Sequence, residues 1–266
     1  MLVVVAFALV VSGCFTRRIA EKMGVSGWFR ADVPGETYRS HFAPLPLNDA
    51  ATQCPGLPAD PEKPLIVLVH GIGGDGPEME ESLPLLLSWA PPAVYMFRWV
   101  PWDDRDEVAE RMARGLSRLA ACTSARILVL AHSAGGVVSS HAASRVKLEA
   151  GRTIDLLTVA SPLAGTVRRA GNEDGRAEAT LMLDLGSRIT GYPEAAPGMH
   201  VVHLRTQAPA DHIMVPSGDL IPNDPSVGVP GAPQLDLPAE LGHLEAMVYV
   251  VKELIAGRAD AWLTAQ

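Results

Sequence analysis

The sequence predicts an α/β protein built on a doubly wound, mostly parallel sheet, and three observations predict it. Residues 65–69 (Leu-Ile-Val-Leu-Val) form a continuous β-branched and Leu-rich run, the pattern of a strand buried on both faces, 126–130 reads as another buried strand and 153–160 as a strand again. Segments of helical spacing separate these runs, the best marked being 104–122, and parallel neighbours need such crossovers. A chain of 266 residues with 48% hydrophobic and 20% charged residues is long and apolar enough for one core, which excludes a disordered or coiled-coil chain.

The elements follow in order. Residues 14–64 are punctuated by Pro and Gly and read as an extension packing on the core, with an outer strand at 36–42. The main domain spans 65–266. In it a strand at 65–69 and a Gly-rich turn lead to a helix at 77–89, a strand at 93–99, an amphipathic helix at 104–122 and a strand at 126–130. A helix at 135–150 and a strand at 153–160 come next. Residues 171–198 break the rhythm: a polar stretch, then Leu181-Met182-Leu183-Asp184-Leu185, expected as a small helical cap inserted over the site. Strands at 199–206 and 233–238 and a closing helix at 243–257 complete the chain.

The amino-terminal residues 2–11 form an uninterrupted apolar run ending in Ser12-Gly13-Cys14. The run is too short to span a bilayer as a helix and suits the apolar region of a signal peptide. Val11-Ser12-Gly13-Cys14 resembles the bacterial lipoprotein box, though no Lys or Arg precedes the run. That resemblance implies removal of residues 1–13, lipid attachment at Cys14 and a membrane-anchored place in the cell envelope; an ordinary secretion signal or a buried first strand is the alternative. Export also suits the other cysteines. Cys54 and Cys122 each precede a predicted strand near the amino-terminal edge of the sheet, where a disulfide or two free buried thiols both fit.

Several function classes are disfavoured. A net charge of −8, without a basic stretch interleaved with aromatics, offers nucleic acid no attraction. No His, Cys or carboxylate spacing matches a metal set, and nothing requires a cofactor.

The chemistry centres on Ala131-His132-Ser133-Ala134-Gly135, which lies between a strand and a helix. A serine hydroxyl attacks a carbonyl only when it is exposed and close to a base. A sharp strand-to-helix turn lifts it above the sheet, and small neighbours give the strained backbone room. A second loop, His70-Gly71-Ile72-Gly73-Gly74-Asp75-Gly76, follows the first buried strand. It also satisfies the dinucleotide pattern G-x-G-x-x-G, but the next strand ends Phe97-Arg98-Trp99, without the acid that would hold a ribose. Arg98 would suit a phosphorylated ribose, so an NADP-binding protein is the remote alternative, one that leaves Ser133 unexplained.

Together these motifs resemble the α/β-hydrolase superfamily, in particular bacterial lipases and esterases with Ala in the first position of the G-x-S-x-G elbow. The resemblance covers residues 65–266 and implies Ser133 as nucleophile and the amides of Ile72 and Ala134 as oxyanion donors. It implies Asp211, in Asp211-His212-Ile213-Met214-Val215-Pro216, as the acid, with Asp219 and Asp224 as fallbacks, and His243, in Gly242-His243, as the base. His200 and His203 fall inside a strand, where packing or surface roles suit them, and His212 adjoins the expected acid. His70, Gly71 and His132 would line the site. Trp99, Trp102 and Leu183 would line an acyl groove or belong to ordinary core.

The expected activity is hydrolysis of a small-molecule or lipid carboxylic ester through an acyl-enzyme. A thioesterase or other acyl hydrolase of the same fold and a non-catalytic surface binding protein are the alternatives.

Overall fold

The structure, a computed structural model, describes residues 27–31, 42–45, 63–71, 77–100, 103–164, 189, 191–206 and 227–264. Among the described residues eight strands form one sheet in the order β2-β1-β4-β3-β5-β6-β7-β8. They are β1 (Gly27–Ala31), β2 (Phe42–Leu45), β3 (Leu65–Val69), β4 (Val94–Arg98), β5 (Ile127–His132), β6 (Ile154–Val159), β7 (Met199–Arg205) and β8 (Gln234–Asp236). From β4 to β8 every pairing is parallel; β1 pairs antiparallel with both β4 and β2.

The unbroken apolar runs form the centre because both faces are covered. Every residue of β3, β4, β5 and β6 is buried. On one face Leu65, Val67 and Val69 pack with Val129 and Ala131 under α2 (Arg105–Cys122) and α3 (Ala134–Ala143). On the other, Ile66 and Leu68 pack with Leu128 and Leu130 under α1 (Pro77–Trp89) and α4 (Glu245–Ile255), with α5 (Asp260–Leu263) beside them. Each such Leu, Ile or Val contributes about 1.5–3 kcal/mol by leaving water. This strand order, with its single antiparallel insertion and helices on both faces, is the α/β-hydrolase fold.

Of the outer strand expected at 36–42 only Phe42 is among the described residues, and the strand at Gly27–Ala31 was not expected. Two strands are present, Gly27–Ala31 and Phe42–Leu45, and residues 36–41 lie outside the described residues. The alternation in β1 sends Trp28 to one face, its ring 5.2 Å from that of Phe97, and Phe29 and Ala31 to the other. Long-range pairing with β4 makes this strand, so no local pattern announces it.

The helix expected at 135–150 ends at Ala143. The Ser117 hydroxyl of α2, which donates to the Ala113 carbonyl, accepts the N–H of Lys147 at 2.8 Å and takes that donor out of any helical ladder. The start of α2 follows the sequence closely, Asp104 Oδ1 accepting from the N–H groups of Asp106 and Glu107. Cys122, the last residue of α2, is disulfide-bonded, so of the two alternatives it is cross-linked; its partner lies outside the described residues, as do Cys14 and Cys54. Most of the expected cap at 171–198 also lies outside them. Its described end packs on the body: Ile189 N–H donates to the Ala164 carbonyl, Tyr192 hydroxyl to the Leu163 carbonyl and Ala196 N–H to the Ala143 carbonyl.

Candidate active site

The topology creates a crevice before any side chain is considered. Strands β3 and β5 are parallel neighbours, but the chain leaves β3 for α1 on one face and β5 for α3 on the other. Their carboxyl ends therefore diverge, the place where ligands bind in open α/β sheets. His70-Gly71 lies at one lip and Ser133 at the other.

Ser133 occupies the turn between β5 and α3 with φ 54° and ψ −129°, a left-handed conformation that costs a non-glycine residue of order 1–3 kcal/mol. Its N–H is tied to the Val159 carbonyl of β6 at 2.9 Å, and its carbonyl accepts from Gly136 N–H. Its side chain makes no capping bond to α3, which leaves the half-buried hydroxyl uncommitted to the helix.

Small residues let the elements close around this turn. A Cβ on Gly135 would come 2.4 Å from the His70 carbonyl oxygen, so α3 approaches the end of β3 only because that atom is missing. Ala134, the first residue of α3, is buried; as a first-turn residue its N–H has no acceptor within the helix. Ile72, its expected partner as oxyanion donor, lies outside the described residues.

His70 is fixed from three sides. Trp99 N–H donates to its Nε2 at 3.2 Å, which leaves the proton on Nδ1 to donate to the Gly71 carbonyl at 2.7 Å. The Trp99 indole stacks on the imidazole with centroids 5.5 Å apart and donates its N–H to the His70 carbonyl at 3.0 Å. Trp99 is fully buried, and its described contacts brace the loop. Trp102 and Leu183 lie outside the described residues.

His243 precedes α4 and is half-buried. Its ring lies 4.7 Å from that of His132, tilted by 47°, and its carbonyl accepts from His132 Nε2 at 2.9 Å. The structure thus brings His243 to the residue preceding Ser133. Among the described residues the Ser133 hydroxyl makes no hydrogen bond to the His243 ring, a contact that often tightens only with substrate. Burial, then the neighbouring His132, hold the His243 pKa down to about 3 against the opposing pull of Glu78. Asp211, Asp219, Asp224 and His212 lie outside the described residues.

One residue was not anticipated. Glu78, in the first turn of α1 and nearly fully buried, places Oε1 3.2 Å from His132 Nδ1. Burial pushes its carboxyl up, but the hydrogen bond and charge of His132 more than offset this and leave it below the ordinary carboxylate range. The helix N-terminus favours the same charge. The available signal was the alternation of β5: His132 shares a face with Leu128 and Leu130, the face covered by α1 and α4. Glu78 also borders a cavity of about 320 Å³ between α1 and α4, lined in part by Leu241, Leu244, Val248 and Tyr249.

Two further described histidines lie on β7. His203 is buried in β7, with Nδ1 2.8 Å from Thr158 Oγ1 and Nε2 accepting from Val229 N–H, while half-exposed His200 lies 3.2 Å from Asp155. Among the described residues no group of three or more His, Cys, Asp or Glu could hold a metal ion, and no helix is long and apolar enough to cross a membrane.

No family model and no curated protein matches the chain. Among solved structures it is similar to a Bacillus licheniformis lipase in mature form, at 15% identity over 87% of this chain and 99% of that one, with a TM-score of 0.46. It is similar to a putative hydrolase from Agrobacterium vitis at 12% identity, over 78% of this chain and 90% of that one, with a TM-score of 0.46. The esterase domain of a Rhodothermus marinus protein is 14% identical over 78% of this chain and 91% of that domain, with a TM-score of 0.40.

Proposed function

We propose that the chain is a serine hydrolase of carboxylic esters, with Ser133 as nucleophile, His243 as base and Asp211 as the acid that orients it. The observation that carries this reading is the backbone of Ser133: a positive φ at a strand-to-helix turn, with the hydroxyl kept out of the helix cap, beside His243 through His132. A structural serine has no need of that strain, whereas a nucleophile gains exposure from it.

In the mechanism, neutral His243 accepts the Ser133 proton as the oxygen attacks the ester carbonyl. The Ala134 and Ile72 amides stabilise the oxyanion, protonated His243 returns its proton to the leaving alcohol, and water activated by the same imidazole releases the acid. The low pKa of His243 keeps the ring in the proton-accepting form at neutral pH. His70 and Trp99 hold the Gly71 loop against the turn. Gly71, Trp102 and Leu183 complete our assignment of the surroundings of the substrate; His132, expected there, is buried and faces Glu78 and the His243 carbonyl instead.

The deciding experiment is Ser133→Ala against the native chain on nitrophenyl esters of increasing acyl length, with fluorophosphonate labelling in parallel. Loss of both hydrolysis and labelling is expected, and full retention of hydrolysis would end the proposal. The same chain-length series reports whether short or long acyl groups are preferred. We place the protein in the cell envelope, exported and held by a lipid on Cys14, on the strength of the lipoprotein-like sequence at 11–14.

A further inference from the structure

Glu78 and His132 form a buried pair that the mechanism above leaves unused. Both side chains are almost inaccessible, His132 at 1% and Glu78 at 5% of their exposed areas. A carbonyl oxygen can only accept, so Nε2 of His132 carries a proton and gives it to His243. The other ring nitrogen of His132, Nδ1, faces the Glu78 carboxylate at 3.2 Å. Burying a carboxylate and an imidazole is costly, and such a polar pair often gives less stability than apolar residues of the same size would.

What this pair reaches is specific. It joins the first turn of α1, the end of β5 and the main chain just before α4 in one line: Glu78 carboxylate, His132 ring, His243 carbonyl. We infer that Glu78 and His132 are positioning residues which clamp the backbone of His243 and so hold its imidazole at the Ser133 turn. His132 sits beside the nucleophile in sequence, so one side chain fixes the spacing between the strand carrying the serine and the loop carrying the base. A misplacement of about 1 Å in such a group can cost about 100-fold in rate, which gives the clamp its purpose.

The inference rests on the assignment of His243 as base, and the experiment separates the two. Glu78→Gln, His132→Gln and His132→Asn are compared with the native chain for kcat and KM on a nitrophenyl ester, for the rate of fluorophosphonate labelling of Ser133, and for Tm. Gln at 132 can still offer an N–H to the His243 carbonyl, whereas the shorter Asn cannot.

Glu78→Gln and His132→Asn should lower kcat and labelling about 10- to 100-fold with KM within about twofold, and His132→Gln should recover part of the loss. If the lone carboxylate unfolds the His132 variants, the same pair of substitutions is compared in the Glu78→Gln background; if Glu78→Gln itself unfolds, Glu78→Asp, with its charge drawn back, should lower kcat in its place. Variants with lowered Tm but native kcat and labelling overturn the inference, as does His132→Gln no better than His132→Asn. A native chain that neither hydrolyses esters nor labels at Ser133 removes the hydrolase reading itself, whereas native-like variants of an active enzyme remove only the clamp.

Discussion

Gly71 lies so close to Ser133 that a Cβ placed on it would meet Ser133 Cβ at 2.9 Å and Oγ at 3.4 Å. The lip of β3 and the turn after β5 are thus in contact through the missing side chain. Gly71→Ala should push the serine and the Gly71 loop apart and lower kcat/KM for ester hydrolysis by about 100-fold. Steady-state kinetics on a nitrophenyl ester checks this, and unchanged kcat/KM would show that the contact does not set the site.

Three histidines are held in the neutral form by the fold. Burial is the leading cause in each case, lowering His203 and His141 to about 4 and His243 to about 3 from an ordinary 6.5. The unfolded chain takes up these protons below pH 6.5 while the folded chain refuses them. Stability is therefore fully present above pH 6.5 and falls as the pH drops toward 4, by about 1.4 kcal/mol per pH unit for a buried group such as His203. Glu78, whose pKa is lowered, adds its own loss below its ordinary value of 4.5. Urea unfolding at a series of pH values measures the slope, and a flat profile between neutral and mildly acid pH would contradict it.

Asp211 follows β7 at the position the elbow resemblance requires of the acid. Asp211→Asn should reduce kcat by about 10⁴ through the wrong imidazole tautomer, while Asp219→Asn and Asp224→Asn leave it near native. Turnover of the three variants ranks them, and a large loss at either fallback position would move the role there.

Cys14 is the predicted point of lipid attachment. In a bacterial host that processes lipoproteins, Cys14→Ser should abolish incorporation of labelled palmitate and shift the protein out of the detergent phase. Equal incorporation by the variant would return the segment to an ordinary secretion signal or a buried strand.

The strands were legible because their burial is complete: a run such as Leu65-Ile66-Val67-Leu68-Val69, covered on both faces, cannot be anything but apolar. The serine turn was legible for a related reason, since a strained turn between β5 and α3 tolerates only small neighbours and leaves that mark in consecutive residues. By contrast, β1 owes its existence to antiparallel pairing with β4, more than sixty positions away for partners such as Trp28 and Phe97, and α3 stops where Ser117 of another helix intercepts Lys147.

The sequence by itself determined the parallel strands of the sheet and the serine turn between β5 and α3, because each depends on neighbours in the chain. Only the tertiary structure decided that Glu78 would find His132 and that His132 would hold the main chain of His243. Those residues come from separate elements, and no local pattern records a contact between polar groups until packing on one face of the sheet brings them together.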